Sequence, residues 1–258
     1  MAGADPERAP VLLHAAGSLR AGLSDVAQAF EAATGVVVTP VFGASGLLRG
    51  RIEAGEAAEV FASADFGNPD ALARAGRSGP VVLFARNELC AFLRPGLLAT
   101  AESLLARMLD GEIKLGTSTP KADPSGDYAF AVFRRAEAVK PGARAVLEAK
   151  ALQLTGGPNS QRGPEGCNLY GHILASGQAD IFLTYRTNAI ALAKEQPGVS
   201  MVRLSPALAV GAEYGLTVLN EASPNACRFA MFILSRTGQE ILAKHGFAAP
   251  LLPREGAN

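Results

Sequence analysis

Tryptophan is absent from this 258-residue chain, and cysteine and histidine occur only three times each. Cys90, Cys167 and Cys227 lie far apart, at no spacing that suits a zinc site or a Cys-x-x-Cys redox pair. Free, mostly buried thiols are expected in preference to a disulfide. His14, His172 and His245 likewise show no metal-ligand spacing. An excess of charge of one sign is missing too, because 24 Lys and Arg balance 24 Asp and Glu. No Lys/Arg block of the kind that binds nucleic acid or an anionic membrane is present. No apolar run reaches the roughly 18 to 20 residues that a membrane span needs, and the longest apolar helix candidate, 227–234, is interrupted by Arg228. The polar start, Met1 to Arg8, has no apolar core of a signal peptide. It reads either as a cytoplasmic protein or as the mature form of an exported one.

Catalytic motifs are missing as well. Gly43-Ala44-Ser45-Gly46-Leu47 lacks the second glycine of a Gly-x-Ser-x-Gly nucleophile elbow, so a hydrolase triad has no anchor. There is no Walker lysine loop and no Gly-x-Gly-x-x-Gly fingerprint. Asp65, Asp123 and Asp180 are isolated from one another, which suits solvated or capping carboxylates.

What is present is a repeated alternation of strand and helix. Apolar runs at 11–16, 36–42 and 59–62 read as strands. Each is followed by helical spacing: Leu19, Leu23, Val26 and Phe30; then Leu48 and Ile52; then Ala71, Leu72 and Ala75. Gly35 and Gly76 stand where helix C-termini are expected. That order implies parallel pairing with right-handed crossovers. Residues 81–93 form a run long enough to cross from one lobe to another, and 214–219 reads as the return. Between them the expected elements are helix 97–109, strand 113–117, a loop over 118–127 leading to a helix, helix 141–151, helix 167–176, strand 179–185 and helix 189–194. Helices at 225–234 and 237–244 end the chain, with Phe247 packing back under Gly246. The first lobe is expected to hold residues 1–84 and 206–258, and the second 85–205. Ligands of such α/β proteins bind at the C-terminal ends of strands.

Five strand-end positions then stand out. Ser18 and Ser45 occupy expected helix N-caps in the first lobe. Ser125 with Gly126, and Cys167, mark helix starts in the second, and Tyr185 ends its last strand. Helix N-termini carry unpaired N–H groups and partial positive charge, so several of them with a phenol suit a small dehydrated anion. Each of them alone also fits a purely structural cap. His14, Gly46, Asp123 and Arg186 adjoin these positions and are expected to support them.

His14-Ala15-Ala16-Gly17-Ser18-Leu19, Phe42-Gly43-Ala44-Ser45-Gly46, Ala58 to Asp65, and Ala179 to Tyr185 resemble the periplasmic molybdate-binding proteins of ABC importers. So do Tyr214 to Val218, Ala230 to Gln239 and Leu242 to Phe247. The resemblance covers about residues 10 to 250. It implies an α/β, two-lobed type II periplasmic-binding-protein fold, each lobe a mostly parallel sheet flanked by helices. It implies capture of molybdate or tungstate between the lobes, a membrane permease as partner, a monomeric periplasmic protein, no further cofactor and no metal beyond the bound oxyanion. The family's serines fall on Ser18 and Ser45, its backbone donors on Ser125 and Cys167, and its tyrosine hydroxyl on Tyr185. Three features depart from the pattern, one of them Cys167, where only the backbone N–H is called on. The 156–166 stretch is long and rich in Gly and Pro. Thr184 stands where archaeal relatives that add carboxylates to the metal have glutamate, although Asp123-Pro124 resembles them. Sulfate, phosphate or a small organic anion held by Arg186 remains the alternative ligand, and an enzyme on this scaffold the alternative class.

Overall fold

Strand β1 (Val11–Ala16) buries almost every side chain, which places it inside a sheet rather than at an edge. In the computed structural model, which describes residues 9–160, 163, 167–195 and 198–248, the chain divides into two compact units. The first is Met1–Asn87 with Glu213–Asn258, and the second is Glu88–Ala212.

In the first unit, β1 lies between β2 (Val38–Gly43) and β3 (Val60–Ala62), parallel to both. Strand β9 (Gly211–Val218) pairs antiparallel with β3, giving the order β2-β1-β3-β9. Helix α1 (Arg20–Thr34) packs with α9 (Pro224–Leu234) and α10 (Arg236–Lys244), and Phe30 meets Phe229 edge-on at 5.2 Å. Helices α2 (Ser45–Glu53) and α3 (Gly67–Arg74) share a second core, in which Leu48, Ile52, Phe61 and Leu72 are buried together. Burying such side chains contributes about 1.5 to 3 kcal/mol each. Gly35 ends α1 with φ 72°, as its position in the sequence implied. Phe247 packs on Tyr214 with ring centroids 5.4 Å apart.

Strand β4 (Val82–Leu93) carries the chain into the second unit. There the order is β4, β7 (Ile181–Tyr185), β5 (Leu115–Ser118) and β6 (Leu152–Thr155), with β8 (Ser200–Arg203) also paired to β4. Strands β5, β6 and β7 are parallel, and β4 runs antiparallel to β7. The helices are α4 (Leu104–Leu109), α5 (Pro124–Val139), α6 (Ala143–Lys150), α7 (Leu169–Ala175) and α8 (Arg186–Glu195). The core includes Cys90, Phe92, Ile173, Leu174, Phe182 and Leu192. Gly116 is needed where β5 passes β7, because a Cβ there would stand 2.5 Å from the Phe182 ring.

Several expectations are corrected. The helix expected over 97–109 begins only at Leu104. Thr100 and Ser103 exchange hydroxyl and backbone hydrogen bonds, which gives 100–103 a turn in place of a helical one. The loop expected to last to Asp127 ends at Asp123, because Asp caps α5 and Pro124 takes its first position. Strands β6 and β8 have no counterpart in the sequence expectations. Both are four-residue strands, too short to show a clear period. The thiols are free, but Cys167 and Cys227 are exposed and only Cys90 is buried. No helix among the described residues is long and apolar enough to cross a membrane.

Candidate functional site

Parallel pairing brings the C-terminal ends of β1, β2 and β3 to one edge of the first unit. Ala15 pairs with both Phe42 and Ala62, and Ala16 with Gly43. The turns that follow therefore abut, and a Cβ on Gly17 would stand 3.9 Å from the Gly43 carbonyl. Ser18 lies in a 3-10 turn (Gly17–Leu19) ahead of α1, whose N-cap is Leu19 and not Ser18. Its hydroxyl is consequently not tied to the helix. It lies 2.9 Å from the Tyr214 hydroxyl, which also receives the Asn87 Nδ2 donor at 3.2 Å. Either hydroxyl of the Ser18–Tyr214 pair can be the donor.

Ser45 differs from expectation in a similar way. The N-cap of α2 is Ala44, and Ser45 is the first helical residue, fully buried. Its Oγ accepts the Ala64 N–H at 3.1 Å, which ties the end of β3 to the start of α2. Because this bond uses a lone pair, the Ser45 hydroxyl proton remains available. No side chain caps α2 and its first turn holds no acid, so its leading N–H groups and positive end stay open. Gly46 follows in that turn. Nearby, the Arg20 guanidinium stacks over the Phe42 ring at 4.7 Å.

His14 is in the interior of β1, 2% exposed, with Nε2 3.0 Å from Glu56 Oε1. Arg51 grips the same carboxylate with two donors. The Arg51 hydrogen bond, then that of His14, holds the Glu56 carboxyl below its usual range.

The second unit repeats the arrangement with β5, β6 and β7. Ser118 Oγ and Thr155 Oγ1 meet at 2.7 Å where β5 and β6 end. The chain then turns into α5. Asp123 is its N-cap, its Oδ1 accepting the Ser125 N–H at 3.0 Å and its carbonyl the Gly126 N–H at 2.9 Å. The backbone donor expected at Ser125 is thus already taken. What remains is its hydroxyl, 1% exposed, with no hydrogen-bond partner among the described residues. Gly126 cannot carry a side chain, since a Cβ would stand 2.6 Å from the backbone of Ser118, Thr119 and Pro120. Tyr185 ends β7 and is 2% exposed. Its ring meets Tyr128 edge-on at 6.2 Å, which places the first turns of α5 beside the end of β7. Arg186 is the first residue of α8, half-buried.

Cys167 is exposed and lies ahead of α7 rather than at its start. Asn168 is the cap, and its Oδ1 accepts the N–H groups of Tyr170 and Gly171. Residues 161, 162 and 164–166 of the 156–166 stretch lie outside the described residues. Thr184 is fully buried and accepts from Asn188 Nδ2 at 2.8 Å. Burial pushes the neighbouring Tyr170 phenol up to about 12. No group of three or more His, Cys, Asp or Glu side chains able to hold a metal occurs among the described residues.

The support of Ser18 by Tyr214 and Asn87 was not legible in the sequence. Ser18 and Tyr214 are 196 positions apart, and no spacing rule links them.

Residues 11–248 match the family described as bacterial extracellular solute-binding protein. An uncharacterized protein of Pasteurella multocida, PM1146, is 33% identical over 235 residues, covering 90% of this chain and 96% of that one. The molybdate-binding protein ModA of Mycobacterium tuberculosis is 28% identical over 244 residues, covering 93% and 85%. Among solved structures, the periplasmic molybdate-binding protein of Azotobacter vinelandii superposes with a TM-score of 0.75 at 22% identity, covering 95% of this chain and all of that one. The sulfate-binding protein SubI of Mycobacterium tuberculosis superposes with a TM-score of 0.73 at 18% identity, covering 93% and 87%. The fold is that of the periplasmic binding proteins, and the strand-end serines lie within the matched span. The chain belongs to the bacterial extracellular solute-binding protein family.

Proposed function

We propose that this solute-binding protein captures a tetrahedral oxyanion, molybdate first and tungstate with it, for the membrane permease of an ABC importer. The observation that carries the reading is the donor polarity of the first unit. Ser45 Oγ accepts the Ala64 N–H and so keeps its own proton to give, and the start of α2 has no side-chain cap and no acid in its first turn. Such a surface is rich in donors, which suits a fully deprotonated dianion. In the second unit, Ser125 through Oγ, Tyr185 and the Cys167 backbone are the proposed donors. His14, Gly46, Gly126, Asp123 and Arg186 support them. Charge-assisted bonds of about 1.5 to 3 kcal/mol each, summed over the set, offset the dehydration of the ion.

The name of the mycobacterial relative and that of the Azotobacter structure support molybdate. That of SubI keeps sulfate as the second reading. The protein is proposed to act in the periplasm as a monomer, with no cofactor besides its ligand and no catalytic step. A thermal-shift panel with molybdate, tungstate, sulfate and phosphate tests this. A ligand at 1,000 times its dissociation constant adds about 4 kcal/mol of stability. Flat melting curves with both molybdate and tungstate would overturn the proposed ligand, and a shift with sulfate alone would favour the second reading.

A further inference from the structure

Tyr214 is fully buried, and it stands where the chain has just come back into the first unit at Glu213. Its ring is met edge-on by Phe84, with centroids 6.4 Å apart, and by Phe247 at 5.4 Å. Its hydroxyl lies 2.9 Å from Ser18 Oγ and accepts from Asn87 Nδ2 at 3.2 Å. Asn87, 5% exposed, is the last residue before the chain leaves that unit on β4. One residue back on each strand, the exposed side chains of Arg86 and Glu213 pair at 3.2 Å. The strands of exit and return are thus joined twice, once at the surface and once inside. Only the inner joint reaches Ser18, which caps neither its own 3-10 turn nor α1.

We propose that Tyr214 is the positioning residue of the first unit's ligand seat, and that through Asn87 it ties occupancy of Ser18 to the strands on which the chain leaves and re-enters that unit. The inference rests on the oxyanion reading above and goes beyond it. A serine hydroxyl has a single proton. When an anion accepts from Ser18, the 2.9 Å contact with Tyr214 persists only with Tyr214 as its donor. Tyr214 still accepts from Asn87, so three donors point in series toward the guest. Hydrogen bonds in such a chain polarise one another, and burial strengthens the effect. Without a guest either hydroxyl can donate, so binding selects one direction of the pair. Coupling of this kind is reciprocal: a change at Ser18 is felt at the two strands, and the reverse.

Tyr214→Phe keeps the ring and removes only the hydroxyl. The experiment is calorimetric titration with molybdate, and in parallel sulfate, of the full chain, Tyr214→Phe, Ser18→Ala and the double variant. Each single substitution is expected to weaken binding about tenfold, as loss of a hydrogen bond to a charged group does. The double variant should bind no more weakly than Ser18→Ala, because Tyr214 acts through Ser18. Losses that multiply in the double variant, or unchanged affinity in Tyr214→Phe, overturn the positioning role. Glu213→Gln breaks the surface pair on the same strands and should leave affinity unchanged, and a tenfold loss there overturns the assignment to Tyr214. The tie to the strands is read without any ligand. Amide hydrogen exchange at 86–89 and 213–215 should quicken about threefold or more in Ser18→Ala, and a change confined to 17–20 overturns the tie. That comparison leaves Tyr214 in place, so it stands even where Tyr214→Phe fails to fold. If the unaltered chain binds neither ion, the oxyanion reading fails, while the exchange comparison still decides the tie by itself.

Discussion

Helices α2 and α5 both begin just beyond the end of a parallel strand, with a Ser and a Gly in the first turn, yet their N-termini are built in opposite ways. The start of α2 is open. Ala44 offers no side-chain cap, no acid follows, and the Ser45 hydroxyl is turned to the Ala64 N–H. The start of α5 is closed, with Asp123 as cap, Pro124 at the first position and Asp127 in the first turn. The same local sequence elements thus leave one helix dipole available and compensate the other. In the open case the serine hydroxyl ties a strand end to the helix start, and in the closed case the serine N–H is taken by Asp123 while its hydroxyl has no hydrogen-bond partner among the described residues. A shared motif does not guarantee a shared donor.

The largest effect that would break this comparison is expected at the glycines. Gly126→Ala puts a Cβ 2.6 Å from three backbone groups that cannot swing aside, and a loss of about 3 kcal/mol or more is expected in urea unfolding. Gly43→Ala, ahead of the open helix, meets only the flexible end of Leu48 at 3.3 Å and should cost about 1 kcal/mol or less. Equal losses would mean that the two starts are equally constrained. Next come the serines. Ser45→Ala strands the buried Ala64 N–H and should cost about 1 to 3 kcal/mol. Ser125→Ala removes a hydroxyl with no hydrogen-bond partner among the described residues and should leave stability within about 0.5 kcal/mol, while weakening oxyanion binding. A large stability loss in Ser125→Ala would show that its hydroxyl has a structural partner after all.

Alkaline pH also separates the units. Burial pushes both Cys90 and Tyr170, in the second unit, up to about 12. The unfolded chain releases these protons near the ordinary values of 9.0 and 10.0, whereas the folded unit retains them. Stability from both groups is therefore complete below pH 9 and is lost as pH rises toward 12. Hydrogen exchange should show the second unit loosening first in that window, and simultaneous loss in both units would count against it. Thiol labelling at pH 8 should modify the exposed Cys167 and Cys227 and spare Cys90. In the cap, Asp123→Ala should lower stability by about 1 kcal/mol and Asp123→Asn should leave it unchanged.

Much of the fold was legible because its signals are local. Val11–Ala16, the helical spacing from Leu23 to Phe30 and the closing Gly35 each announce an element within a few residues. The short strand Leu152–Thr155 was not, because four residues show no period and its partner, β5, lies far away along the chain. The cap residues misled for a different reason. Ser18 and Ser45 are the residue type that caps helices, but each hydroxyl has a tertiary partner, Tyr214 and Ala64, that competes with the helix. At α5 the competition went the other way. Asp123 is the stronger acceptor, so it caps and Ser125 moves inside the helix.

By itself, then, the sequence determined the α/β alternation and the family, since strand and helix periods and short motifs are properties of neighbouring residues. It also determined that Ser18, Ser45 and Tyr185 stand at the ends of strands. Only the tertiary structure decided how the groups at those ends are engaged. That depends on partners such as Tyr214, 196 residues from Ser18, and on whether a carboxylate or a bare alanine precedes the helix. A hydrogen bond is a matter of distance in space, and residue type alone does not say where a proton will point.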